Sequence, residues 1–391
     1  MRTQTELGRV LDETRERTDA LFGIVRPDSL YERPIPERHR IIFYLGHLEA
    51  FDWNLIGRYA LDRRPFHPEF DKLFAFGIDP PPGQLPGDKP SDWPTVKEVE
   101  AYNRRTRDAI DDLIDEVPEQ LLHVAIEHRL MHVETLAYIL HQLPYDRKIA
   151  PAAEESAEAV AAREHWMIDI PRGAAQLGLK DDGFGWDNEF DAHEVDVPAF
   201  SIAKHKVTNG EYLEFVRQGA PAPFFWVQRG GEWSQRGMFA EFPLPLDWPV
   251  YATYEQAQAY AKKRGAALPT EPQFHRAACL ASGAGHNGHG GNLDFRRWDP
   301  VPVQADDSAA AVPSQLVGNG WEWTSTAFAP FPGFTPFPFY QNYSAPFFDG
   351  QHYVLKGASP VTAARLARPS FRNWFRPSYP YVYATFRLVE P

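Results

Sequence analysis

The segment Glu127-His128-Arg129-Leu130-Met131-His132-Val133-Glu134 lies in a run from Glu119 to Gln142 that contains neither glycine nor proline. Such a run predicts a helix. On a helix, residues four apart share a face, with Cβ atoms about 5–6 Å apart. His128 and His132 therefore sit side by side. Two neutral imidazoles at that separation can bind one transition metal. Taken alone, the pair fits two surface histidines on an amphipathic helix equally well. A third histidine placed to meet them would decide between the two readings.

Composition narrows the class. The chain has 391 residues, enough for two or three domains. Its formal net charge of −13 argues against a nucleic-acid binder and against docking on anionic membranes. No apolar run is long enough to span a bilayer. The N-terminal residues Met1 to Glu6 begin a polar helical pattern, not a signal peptide. Cys279 is the only cysteine, so no intrachain disulfide can form, and a cytoplasmic location is expected. The 36 prolines and 14% aromatic residues predict a loop-rich part held by aromatic packing.

Residues 1–147 read as helical. Leu7, Val10, Leu11, Leu21 and Phe22 fall at helical spacing. After Pro34 and Pro36, a second helix is expected around Ile41 to Leu61, with His47 among apolar neighbours and so facing a core. Residues 65–95, rich in Pro, Gly and Asp, read as a long loop. Thr95 with Glu98 forms a capping-box signature that opens a third helix running to about Asp115. The fourth helix carries the histidine pair. Four helices in succession predict an up-down bundle, whose core can hold a metal site. Residues 148–164, rich in Ala and Glu, read as a linker or short exposed helix. The remainder, 165–391, changes texture to short strand-like runs such as Val195 to Ile202. Two helical patches stand out, Asn209 to Val216 after Thr208 and Tyr254 to Arg264 after Thr253. The fold class expected is thus an α-helical bundle followed by an α+β domain with much irregular structure.

Four stretches carry a resemblance across the second half. They are Lys206-Val207-Thr208-Asn209-Gly210-Glu211-Tyr212, Ala267-Leu268-Pro269-Thr270-Glu271-Pro272-Gln273-Phe274, Gly318-Asn319-Gly320-Trp321-Glu322-Trp323-Thr324 and Thr385-Phe386-Arg387. In this order and spacing they resemble the formylglycine-generating-enzyme (sulfatase-modifying factor) fold, a C-type-lectin-like domain. The first half resembles a DinB-like four-helix bundle. The pairing resembles the ergothioneine-biosynthesis sulfoxide synthases, which are non-haem iron enzymes. The resemblance implies that His47, His128 and His132 bind ferrous iron, Fe(2+), leaving positions open for dioxygen and a soft sulfur or selenium donor. Glu134, two residues beyond His132, is expected to support the site rather than bind the metal. The copper chemistry of formylglycine-generating enzymes needs a cysteine pair, which this chain lacks. Cys279 itself reads as a core residue.

The resemblance also implies hercynine, the trimethylated betaine of histidine, as acceptor. Aromatic faces hold a quaternary ammonium well. Asn373 and Trp374 occupy the matching positions, with Trp374 expected at the ammonium and Asn373 at the carboxylate. A purely structural role for Trp374 is the competing reading. Tyr340 and Tyr343 are alternatives for a catalytic tyrosine that donates a proton or hydrogen atom. The departures from the family concern the donor. Relatives that use cysteine or γ-glutamylcysteine hold its carboxylates with arginines after the first histidine helix, and with an Asp and an Arg after the Asn-Trp pair. Here Phe70 to Pro82 contains no arginine, Phe375 stands at the Asp position, Tyr379 lies near the Arg position, and Met131 replaces a Gln of some relatives. Losing bidentate carboxylate clamps disfavours an amino-acid donor. The pattern resembles the selenoneine synthase branch, which takes a selenosugar; a thiol donor is the alternative.

Overall fold

The computed structural model describes residues 6–77, 85–151, 166–180, 183–283, 291–303 and 311–390. They belong to two compact units, Met1–Ala153 and Glu154–Pro391. Of the expected linker, residues 152–164 lie outside the described residues, as do residues 78–84 of the expected loop. Among the described residues, no helix is long and apolar enough to cross a membrane.

The first unit holds α1 (Glu6–Ile24), α2 (Ile41–Asp52), α3 (Pro68–Phe76), α4 (Val96–Leu113) and α5 (Glu119–His141). The four long helices form the expected bundle. The capping box at α4 is present: the Thr95 hydroxyl accepts from Glu98 N (3.4 Å) and the Glu98 carboxylate accepts from Thr95 N (2.8 Å). Two details correct the sequence reading. The second helix does not run regularly to Leu61, because Trp53–Ala60 continues α2 as a π-helix. The expected loop over 65–95 contains α3. Pro68 starts that helix, His67 caps it by accepting from Phe70 N at 3.3 Å, and Gly77 (φ 73°) ends it. A short helix between proline-rich flanks has too few turns to show a periodic face.

Among the described residues, the second unit has twelve short strands. The first four are β1 (Met167–Ile170), β2 (Gly173–Leu177), β3 (His193–Val197) and β4 (Phe200–Ala203). Then follow β5 (Trp226–Arg229), β6 (Glu232–Arg236), β7 (Glu241–Pro243) and β8 (Gly320–Ala327). The last four are β9 (Tyr353–Ala358), β10 (Asn373–Phe375), β11 (Ala384–Thr385) and β12 (Val389–Glu390). They make four small sheets, ordered β1-β4-β12, β10-β9-β8-β11, β2-β3 and β5-β6-β7. The run Val195 to Ile202 is two strands in different sheets, interrupted at Pro198, which cannot donate to a ladder.

Helices α6 (Asn209–Arg217) and α7 (Tyr254–Lys263) start at Thr208 and Thr253 as expected, each with a capping box. A third helix, α8 (Glu271–Gly283), is an addition. Its signal was in the sequence: Thr270 N donates to the Gln273 side chain and Gln273 N to the Thr270 hydroxyl, the same S/T-x-x-E/Q device. Cys279 on α8 is exposed, not a core residue, because it falls opposite the buried Phe274, Ala277 and Ala281.

The quoted motifs meet in the core. Lys206 Nζ donates to Glu322 Oε1 (2.6 Å), and Arg387 forks onto the same carboxylate (2.6 and 2.8 Å). All three are buried, so each charge is matched where water cannot reach. Arg372 makes a second fork onto buried Glu271 (3.0 and 3.1 Å). Beside it, burial and then the neighbouring Lys356 ammonium push the His275 imidazole down to about 3. Folded His275 stays neutral at pH values where the unfolded chain binds a proton. Stability therefore falls as pH drops from about 6.5 toward 3. Thermal unfolding across that window should show His275→Gln with a flatter pH dependence than the wild-type protein.

Candidate metal centre

His47 projects from α2, and His128 and His132 project from α5. One ligand atom from each lies within 4.8 Å of the others, a convergence of buried and half-buried imidazoles. His47 Nε2 is 3.2 Å from His132 Nε2. The ring of His47 is fixed from behind: its Nδ1 is 2.6 Å from the Phe74 carbonyl of α3. A carbonyl only accepts, so Nδ1 carries the hydrogen and Nε2 presents its lone pair in the neutral ring.

Electrostatics favour the neutral, ligating form. Burial lowers His47 to about 4 and takes His128 and His132 well below the usual histidine range, with the neighbouring imidazoles and Arg129 adding to the effect. The buried Nδ1 of His132 has no hydrogen-bond partner among the described residues. Three neutral nitrogen donors in a dry site are the donor chemistry of a divalent transition metal.

Aromatic rings hold the imidazoles. Phe43 and Phe51 lie four residues before and after His47 on α2. Phe43 stacks on His47 (centroids 4.8 Å, 26°), and Phe51 stacks on His128 (3.4 Å, 10°). Their i,i+4 spacing was visible in the sequence, yet nothing in it said which imidazole each would face. Phe74 could not be read as part of the site, because its contribution is a backbone carbonyl. Of the other residues singled out in α5, Glu134 is buried outside the three-histidine convergence, and Met131 is half-buried one position before His132.

In the second unit, β10 presents Asn373, Trp374 and Phe375, all half-buried, in antiparallel register with Leu355, Val354 and Tyr353 of β9. Trp374 stacks on Phe328 (4.2 Å, 7°) and meets the edge of Tyr343 (5.4 Å). Tyr343 stacks in turn on the fully buried Trp186 (4.1 Å, 29°). The Asn373 side-chain oxygen accepts from Trp374 N at 2.9 Å, which fixes its amide. Tyr340 lies 5.5 Å from the Tyr343 ring. Burial and then Asp187 push its phenol up to about 12, so it stays protonated at neutral pH. Phe375 and Tyr379 stack on each other (5.2 Å, 10°). Trp186, Phe328 and Asp187 were not singled out from the sequence; they lie far from Trp374 along the chain and join it only through the fold.

Together, a bundle carrying a three-histidine cluster and a mixed α/β domain with an aromatic strand define a two-domain protein of candidate metal-centre type. A model of the DinB superfamily matches residues 10–143, and one of the sulfatase-modifying factor enzyme 1-like domain matches residues 152–391. Hercynine oxygenase of Mycolicibacterium thermoresistibile is 30% identical over 99% of this chain and 95% of its own length. Hercynine oxygenase of Mycobacterium tuberculosis is 32% identical over 74% of this chain and 76% of its own. Ergothioneine biosynthesis protein 1 of Schizosaccharomyces pombe is 28% identical over 94% of this chain and 54% of its own, so the chain spans about half the length of that relative. The chain belongs to the family of DinB plus sulfatase-modifying-factor-like proteins that contains the hercynine oxygenases.

Glycine is required where α3 meets the histidine helix. A Cβ on Gly46 would lie 2.5 Å from the Phe74 ring, and Phe74 also supplies the carbonyl that holds His47. Gly46→Ala should destabilise the protein by about 1–3 kcal/mol through overpacking. Denaturant unfolding of the purified variant measures this; an unchanged midpoint would show that α3 shifts without cost.

Proposed function

We propose that this protein is a ferrous-iron, dioxygen-dependent enzyme that joins the imidazole carbon of hercynine to the selenium of a selenosugar. The observation that carries the metal reading is the convergence of three imidazoles, His128 buried and His47 and His132 half-buried, that desolvation holds neutral. The printed names of the relatives, hercynine oxygenase among them, support hercynine as the acceptor.

His47, His128 and His132 would hold the metal, and iron bound there would supply activation of dioxygen. His47 Nε2 and His132 Nε2 already face each other at 3.2 Å, so the two donors would need little movement to share a metal. Three protein ligands leave coordination positions for small molecules. Glu134 would back the ligands from within α5. Bond formation removes hydrogen from the hercynine C–H and the donor Se–H. That is a two-electron oxidation with dioxygen as acceptor; an oxygen transfer to selenium would use the remaining two electrons and yield water.

Trp374 would offer an aromatic face to the trimethylammonium group and Asn373 an amide to the carboxylate. Tyr340, protonated at neutral pH, can give up a proton or hydrogen atom, and Tyr343 is its alternative. The donor reading rests on the Phe375–Tyr379 stack, an aromatic pair where the resemblance expects charged groups. Met131 adds a further apolar side chain where some relatives carry a Gln. Stacked rings suit an uncharged sugar better than a carboxylate. The second reading, a thiol donor with carbon–sulfur bond formation, is favoured by the name of the ergothioneine relative.

Purified protein incubated with hercynine, ferrous iron, dioxygen and either a selenosugar, cysteine or γ-glutamylcysteine should turn over with the selenosugar. Turnover with γ-glutamylcysteine and none with the selenosugar would sink the selenium reading. Activity with zinc under anaerobic conditions would instead indicate Lewis-acid transfer without redox, and metal binding with no oxygen uptake would indicate a binding module. His47→Ala, His128→Ala and His132→Ala should each abolish oxygen uptake. Tyr340→Phe should lower kcat about 10²-fold or more with KM little changed if it donates the proton. The same split in Tyr343→Phe, with Tyr340→Phe unaffected, would transfer the role.

A further inference from the structure

We propose that the buried Glu49–Arg129–Asp52 ion-pair cluster is the positioning element of the three-histidine site, setting the register of α2 against α5. The inference rests on the metal-site reading above. Glu49 lies two residues beyond His47 on α2, and Arg129 is adjacent to His128 on α5. The Arg129 guanidinium donates to both Glu49 oxygens (3.0 and 2.8 Å) and also to Asp52 Oδ2. All three residues are at most 1% exposed.

The two helices need such a device. Nine of the twelve α2 residues and seventeen of the twenty-three α5 residues are buried. Helices buried on nearly every side lack the single apolar stripe that normally fixes rotation and axial position. Apolar packing is non-directional, so it distinguishes weakly between neighbouring registers. One residue of slip moves a helix by about 1.5 Å. Ligand distances in a metal site tolerate about 0.2 Å. A bidentate guanidinium–carboxylate fork is directional and planar, and it accepts one register. Here its two halves are rooted within two residues of His47 and one of His128.

The cluster is braced from the other helices. Arg107 of α4 donates to Glu49 Oε1 at 2.9 Å and forks onto Asp19 of α1 (2.7 and 2.7 Å). Arg129 Nη1 also reaches the Thr18 hydroxyl of α1 at 3.4 Å. The carboxylates also neutralise a guanidinium that would otherwise repel a cation in the neighbouring site.

The test uses the full-length protein and Co(2+) as probe. Affinity is read by calorimetric titration and ligand geometry by the d–d absorption of the folded, loaded protein. Arg129→Lys keeps the charge and loses the fork; Glu49→Gln keeps the shape and loses the charge. Each should bind Co(2+) about tenfold or more weakly, with altered d–d bands, as expected when groups that orient metal ligands are changed. Asp111→Asn loosens a different inter-helix pair, Arg15–Asp111, and should leave affinity and spectrum unchanged. Should the first two variants fail to fold, Asp52→Asn retains the Glu49 fork, and its affinity should still fall severalfold. Folded variants with wild-type affinity and spectrum overturn the inference. A wild-type protein that binds no Co(2+) overturns the metal reading itself, which separates the two failures.

Discussion

A guanidinium buried as completely as that of Arg129 has to be neutralised where it lies, because the cost of leaving a charge dry is several kcal/mol. That requirement fixes which segments of this chain can be neighbours. In the bundle it ties α5 to α2 through Glu49 and Asp52. In the second unit Arg387 and Lys206 share Glu322, and Arg372 closes on Glu271. Those partners come from segments roughly 65 to 116 residues apart. Short strands and irregular connections give little repetitive pairing with which to define a topology. Directional ion pairs, each with few geometries, supply what regular ladders would elsewhere.

The same dryness gives the histidine cluster its character. An imidazole in water titrates near neutrality, and a protonated ring cannot bind a metal. Desolvation moves all three rings far from that point, so they stay neutral and keep a lone pair near neutrality. Orientation then comes from groups with no charge to titrate: the Phe74 carbonyl behind His47, and the Phe43 and Phe51 rings stacked on the imidazoles. The close approach of α3 that brings the carbonyl there depends on Gly46 having no side chain.

The aromatic content of the second unit is organised rather than diffuse. Phe328, Trp374, Tyr343 and Trp186 form a continuous series of ring contacts, and Phe375 with Tyr379 forms a separate parallel stack. A series of this kind fixes ring planes through packing alone. It offers flat, weakly polar faces of the kind that suit cations and sugar rings.

The sequence by itself determined most of the long helices and several of their starts. Thr95 with Glu98, Thr208 with Glu211 and the unbroken run from Glu119 to Gln142 act within a few residues, so their outcome is local. It also determined that His128 and His132 share a face, since that follows from helical pitch. It did not reveal α3, whose nine residues between proline-rich flanks carry no long period, and it misplaced Cys279, whose exposure depends on which face of α8 is covered. Only the tertiary structure decided that His47 Nε2 meets His132 Nε2, that a backbone carbonyl from α3 sets its tautomer, and that Glu49 reaches Arg129. Those contacts join residues 27 to 85 positions apart. No local propensity encodes such pairings; they follow from the cost of leaving buried charges and polar groups unmatched once the helices pack.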